Sequence, residues 1–168
     1  MDALRGLCEP LGLANPRTLL QSGNLVFESS AKDMAKLAKR IEQALEQTFG
    51  FHSDVILRTA AEMRQVVEAN PFAGRIGLHP AKLAVTFLAA DPGDEAREVA
   101  RRLPTDPEEL YITGRELYVY YPNGMGRTKL QLKQIEKALK TPGTSRNWNT
   151  VRKLLDMAAP SKAQKTSA

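Results

Sequence analysis

Residues 83–121, LAVTFLAADPGDEAREVARRLPTDPEELYITGRELYVYY, change their periodicity along the way and so decide the fold class. Residues 83–89 form an apolar run of strand length. Asp91-Pro92 is a helix opening, and the helical pattern carries on to Leu103. Residues 110–113 and 116–121 are two extended runs around Gly114-Arg115, the layout of a tight hairpin. Strand, helix and hairpin in this order predict an α+β chain.

The flanking residues extend the pattern. On the C-terminal side, residues 128–140 read as a helix with Leu130, Leu132, Ile135, Ala138 and Leu139 inward. Pro142-Gly143 breaks the chain, and Thr144 or Ser145 caps a last helix carrying Trp148, Val151, Leu154 and Leu155. On the N-terminal side, residues 2–11 read as a short helix and residues 18–21 and 24–28 as a hairpin around Ser22-Gly23. Ser30 caps a helix over 31–49, residues 54–58 form a short strand, and Thr59 caps a helix ending at Asn70-Pro71. Residues 72–81, rich in Gly and Pro, mark the boundary between the halves. The expected division is therefore 1–76, 77–159 and a disordered tail at 160–168. Both halves resemble the split β-α-β plait, so two ferredoxin-like units are expected, the first lacking its opening strand.

Composition bounds the function. The 168 residues are 42% hydrophobic and 26% charged, ordinary for a globular protein. The single cysteine, Cys8, cannot form an internal disulfide and fits a reducing, cytoplasmic setting. No apolar run approaches membrane-spanning length, so no membrane partner is expected. The net charge of +5 is unevenly spread. From Asn123 onward ten Lys and Arg face Glu136 and Asp156, a net of +8, whereas the preceding 122 residues carry −3. Such asymmetry suits either an anionic partner or a solubilising face.

Three segments carry a family resemblance: RTLLQSGNLVF (17–27), YPNGMGRTKL (121–130) and TSRNWNTV (144–151), with Asn70-Pro71-Phe72 between the first two. Together they resemble the bacterial domain-of-unknown-function 1697 family. The resemblance implies two ferredoxin-like units and no assigned activity. Members usually open with a strand and a Gly-rich loop ahead of the segment matching residues 1–11, a stretch not found here.

The leading candidate site is the turn holding Gly124, Gly126, Arg127, Thr128 and Lys129. Two glycines let backbone N–H groups approach an anion, and a helix start after them adds partial positive charge. The spacing is not that of a P-loop, since Lys129 follows Thr128. The plain alternative is a Gly-rich turn with a Thr128 cap and two surface cations. Lys129, Lys133, Lys137 and Lys140 share a helical face that could follow phosphates or merely meet water. No aromatics interleave with them, which weakens a nucleic-acid reading. Arg146 and Asn147 are further anion-ligand candidates, or cap and pair locally; they precede Trp148, which is expected in the core. The polar group Gln21, Ser22, Asn24 beside Gly23 is explained by the turn alone.

His52 and His79 lack metal-ligand partners at useful spacing, and Cys8 lies on an apolar helix side. Asp94-Glu95 and Glu108-Glu109 are surface pairs where acidic groups are expected. No motif calls for a cofactor or a metal, and none supplies a catalytic constellation. The sequence therefore favours a non-catalytic domain binding a phosphate-bearing ligand or a nucleic acid. An enzyme acting on a phosphorylated small molecule between the two units, and an assembly module, are the alternatives.

Overall fold

In a computed structural model, residues 2–19 and 23–159 are described. The chain is α+β and divides into two compact units. One runs through Ala60 and takes in the chain from Leu154 onward; the other is Ala61–Lys153. The expected tail at 160–168 lies outside the described residues.

The first unit contains α1 (Asp2–Gly6), β1 (Ala14–Leu19), β2 (Asn24–Glu28) and α2 (Met34–Phe49). β1 and β2 form an antiparallel two-stranded sheet, with Leu19 opposite Asn24. Buried Asn24 donates from Nδ2 to the Leu19 carbonyl at 3.1 Å, which is why this polar residue sits at the hairpin's closing pair. Leu37 and Ile41 of α2 bury against Cys8 and Leu13, and Leu25, Phe27, Val55 and Leu57 pack on this cluster.

Several expectations fail in this unit: the first helix ends at Gly6 and not at residue 11, and the first strand begins at Ala14 and not at residue 18. The cap of α2 is Asp33, not Ser30: its Oδ1 accepts from the Lys36 N–H at 3.0 Å. The Ser29 hydroxyl instead accepts from the Ala31 N–H and turns the chain ahead of the helix. Residues 54–58 are not a strand. Val55 and Leu57 pack inward as strand residues would, but the Val55 N–H donates to Glu42 Oε1 at 2.9 Å and is lost to any ladder.

The second unit holds α3 (Ala60–Glu68, which starts one residue before it), β3 (Leu83–Leu88), α4 (Asp94–Arg101), β4 (Glu109–Thr113), β5 (Glu116–Tyr120), α5 (Leu132–Leu139) and β6 (Gly143–Asn147). The helix α6 (Trp148–Ala158) follows β6 directly. The sheet order is β4-β5-β3-β6 and every pair is antiparallel. β3 is buried along its whole length, as a run that is apolar except for Thr86 requires. Alternation divides its side chains. Ala84 and Leu88 join Leu117 and Val119 under Ala100 of α4 and Ile135 and Leu139 of α5. On the other face, the hydroxyl of Tyr118, opposite Val85, donates to the Val66 carbonyl of α3 at 2.7 Å.

Three helix starts and one strand differ from expectation. α4 begins at Asp94, because Asp91 accepts from the Gly93 N–H and Gly93, at φ +82°, forms the N-cap. α5 begins at Leu132, not Thr128. Thr128 is extended, and its Oγ1 accepts from the Leu130 N–H, so the chain turns there before the helix begins. Residues 143–147 are a strand and not a break with a helix cap. Ser145 lies opposite Thr86 and their hydroxyls hydrogen-bond at 2.5 Å. Asn147, not Thr144 or Ser145, heads α6: its Oδ1 accepts from the Asn149 N–H at 2.8 Å.

Candidate functional site

The antiparallel register brings four segments to one end of the second unit's sheet. Leu83 opposes Tyr120, Tyr120 opposes Glu109, and Ala84 opposes Asn147. The turn after β5, the start of β3, the start of β4 and the end of β6 therefore meet there.

The turn is fastened at its base. The Tyr121 N–H donates to the Lys82 carbonyl at 2.8 Å, and Lys82 Nζ donates to the Pro122 carbonyl at 2.8 Å. The Gly124 N–H donates back to the Tyr121 carbonyl at 2.9 Å. Gly124 then takes φ +82°, a value side chains rarely adopt, and leads into a single 3₁₀ turn, Met125–Arg127. Among the described residues, no protein acceptor takes the N–H groups of Met125, Gly126 and Lys129. Arg127 and Lys129 are exposed and have no carboxylate within ion-pairing distance among those residues.

Thr128 is differently employed. Its hydroxyl donates to Glu108 Oε1 at 2.6 Å, which anchors the turn to the residue before β4. Glu108 adds negative charge beside the two cations, and it supports the raised pKa that burial gives the Tyr121 hydroxyl. Because α5 starts at Leu132, its macrodipole does not point from Thr128 as the sequence pattern implied. The lysine stripe shortens for the same reason. Lys133 and Lys137 lie on α5, Lys129 precedes it, and Lys140 is its left-handed cap at φ 55°.

Asn147 is committed to the fold: besides heading α6, it donates from Nδ2 to the Ala81 carbonyl at 2.9 Å. Arg146 is half-buried on β6 opposite Val85. Its guanidinium bonds Thr144 Oγ1 and the Ser145 carbonyl, and burial lowers its pKa. Trp148 is 7% exposed and belongs to the core, as its place on the apolar stripe predicted. Of the hairpin group, Gln21 and Ser22 lie outside the described residues, and Asn24 is buried. His52 pairs with Asp54 at 3.1 Å, and the His79 N–H donates to the Tyr120 hydroxyl at 3.4 Å. Cys8 is buried, and that burial pushes its thiol pKa up. Among the described residues, no group of His, Cys, Asp and Glu could hold a metal, and no helix is long and apolar enough to cross a membrane.

One neighbourhood went unread in the sequence. Phe72 packs edge-on to Tyr111, with ring centres 5.2 Å apart and an 84° tilt, and lies 5.9 Å from Tyr120. Arg75 sits 5.7 Å from the Phe72 ring centre and grips Glu109 with two hydrogen bonds of 2.6 and 3.1 Å. The signal was available, because a two-residue turn at Gly114-Arg115 sets Tyr111 opposite Tyr118.

These features describe an α+β protein of two small-sheet units, with an exposed basic turn at one end of its four-stranded sheet. The chain belongs to the family "Protein of unknown function (DUF1697)", whose family model matches residues 1–118. The basic turn, Arg146 and Asn147 lie beyond the matched residues. The structure of conserved bacterial protein SP0830 from Streptococcus pneumoniae is similar, at 22% identity and a TM-score of 0.67. The likeness covers 94% of this chain and 88% of that one, and at this identity it shows the fold alone. No curated protein matches the chain in sequence. Neither the family description nor the neighbour's names an activity.

Proposed function

We propose that the chain is a binding module for a phosphate-bearing partner, held by Arg127, Lys129 and the backbone N–H groups of Met125, Gly126 and Lys129. The observation that carries this reading is the pair of exposed cations without carboxylate partners, beside N–H groups without acceptors, among the described residues. An anion there would meet full and partial positive charge together. The excess of positive charge from Asn123 onward favours its approach. Gly124 and Gly126 serve the backbone geometry. Thr128, Arg146 and Asn147 act as supports, since each already hydrogen-bonds within the fold.

The finer architecture belongs to the same proposal: both units are ferredoxin-like plaits. In the second unit the order βαββαβ, with sheet order β4-β5-β3-β6, supports this. In the first, the run α1-β1-β2-α2 supplies the middle of that motif.

Calorimetric titration with inorganic polyphosphate, at about 50 and 200 mM salt, tests the binding site. Charge-assisted contacts predict affinity that falls with salt, and a loss of about tenfold or more in Arg127→Ala/Lys129→Ala. Equal affinity of the double variant and the parent chain would end this reading.

A further inference from the structure

We infer that the ligand is single-stranded nucleic acid, with a base stacked at Tyr111 and the phosphates passing onto the basic turn. The inference rests on the proposed anion site and adds the class of partner to it.

Isolated surface cations rarely distinguish a nucleic acid from another polyanion, whereas a stacking surface beside them does. Register supplies that surface. Tyr111 opposes Tyr118, and Tyr120 opposes Glu109, so the three tyrosines share one face of the sheet. Tyr118 is spent: it is buried and its hydroxyl is bound to Val66. Tyr111 is 50% exposed, and its hydroxyl has no protein partner among the described residues. Phe72 packs against both Tyr111 and Tyr120, so the rings are held in place before any ligand arrives. A ring already ordered loses little entropy when a base stacks on it.

The charges agree with the geometry. Glu109 would repel a phosphate at this face, but Arg75 holds it in a two-bond ion pair. Tyr111 and Tyr120 are diagonal neighbours across the strand pair, roughly 7–8 Å apart. Tyr120 ends β5, and the chain passes from it into the turn carrying Arg127 and Lys129. A strand stacked at Tyr111 and running past Tyr120 therefore heads toward the end of the sheet where the turn lies. A duplex keeps its bases inside its own stack and offers no exposed base face to the ring.

The test uses fluorescence anisotropy with a labelled single-stranded thymidine oligonucleotide of about 12 nucleotides. Its duplex and inorganic polyphosphate are the comparison probes. Tyr111→Ala is expected to weaken single-strand binding by about 5- to 150-fold. It should leave polyphosphate binding unchanged, and Tyr111→Phe should bind the single strand like the parent chain. Single-strand binding unaffected by Tyr111→Ala overturns the stacking inference. If polyphosphate binding persists in that case and needs Arg127 and Lys129, the anion site stands without it. Equal losses for oligonucleotide and polyphosphate in Tyr111→Ala would also overturn it, because stacking acts on bases alone. A duplex bound more tightly than the single strand would do so too. No binding of any probe in low salt removes both the stacking surface and the anion site.

Discussion

At the scale of single residues, several polar groups highlighted by their sequence neighbours prove to be structural. Asn147 and Thr128 look like ligand-binding residues in a polar, Gly-rich context, yet their hydrogen-bond capacity is used on Ala81, Asn149, Glu108 and Leu130. What a sequence cannot display is whether a side chain's partners are already found within the fold. Tyr118 makes the same point inside the core. Its hydroxyl is buried, and burial raises its pKa, with Glu116 adding to the effect. The folded value lies above the unfolded one near 10, so the unfolded chain loses this proton first. The resulting stabilisation is complete below about pH 10 and declines as pH rises toward the folded value. Tyr118→Phe should cost about 1 kcal/mol at neutral pH through loss of the bond to Val66. It should also flatten part of the alkaline fall in stability; Tyr121, whose pKa is raised as well, keeps the remainder. Chemical denaturation at about pH 7 and about pH 11 measures both effects. An unchanged alkaline limb would exclude Tyr118 as a source of it.

At the scale of elements, legibility followed hydrophobic patterning. The mostly apolar run of β3, the hairpin β4–β5 and the striped helix α2 were read from the sequence, with ends shifted by caps. β6 was missed because its sequence, GTSRN, has no apolar residue to mark a buried face. Its strand character comes from its neighbour: β3 needs a partner on that side, and Thr86 offers Ser145 a hydroxyl. Residues 54–58 show the converse, a short apolar run whose backbone donor was claimed by Glu42. The basic turn was legible as a turn, but not as one ahead of the helix, since Thr128 resembles a cap and acts as an anchor. A polar strand has little apolar pattern to resist a one-residue slip, so the Thr86–Ser145 pair and close packing at Gly143 must hold its register. A Cβ at Gly143 would meet Thr86 Cγ2 at 3.0 Å, Leu88 Cδ2 at 3.2 Å and the Phe87 carbonyl at 3.3 Å. Gly143→Ala should therefore destabilise the protein by about 1–3 kcal/mol, read from its urea midpoint. A neutral substitution would show that β6 yields easily at this point.

At the scale of the whole molecule, the two units differ in how they protect their backbones. The four-stranded sheet surrounds β3 with a strand on each side and a buried side-chain run, whereas among the described residues β1 and β2 pair with each other alone. Hydrogen exchange followed by mass spectrometry should find the slowest amides in β3 and β5 and faster ones in β1 and β2. Slower exchange in the hairpin than in β3 would contradict that ranking. The units also differ in how the chain assembles them. Residues 61–153 form theirs from one continuous segment, but the other needs the chain from Leu154 onward to join residues 1–60. Arg17 makes that junction concrete, donating from Nη2 to the Met157 carbonyl at 2.5 Å. On a ribosome, which releases the chain in order, the continuous unit has all its parts before the divided one does. The residues translated earlier must wait for α6 to emerge, so the unit begun first is finished last.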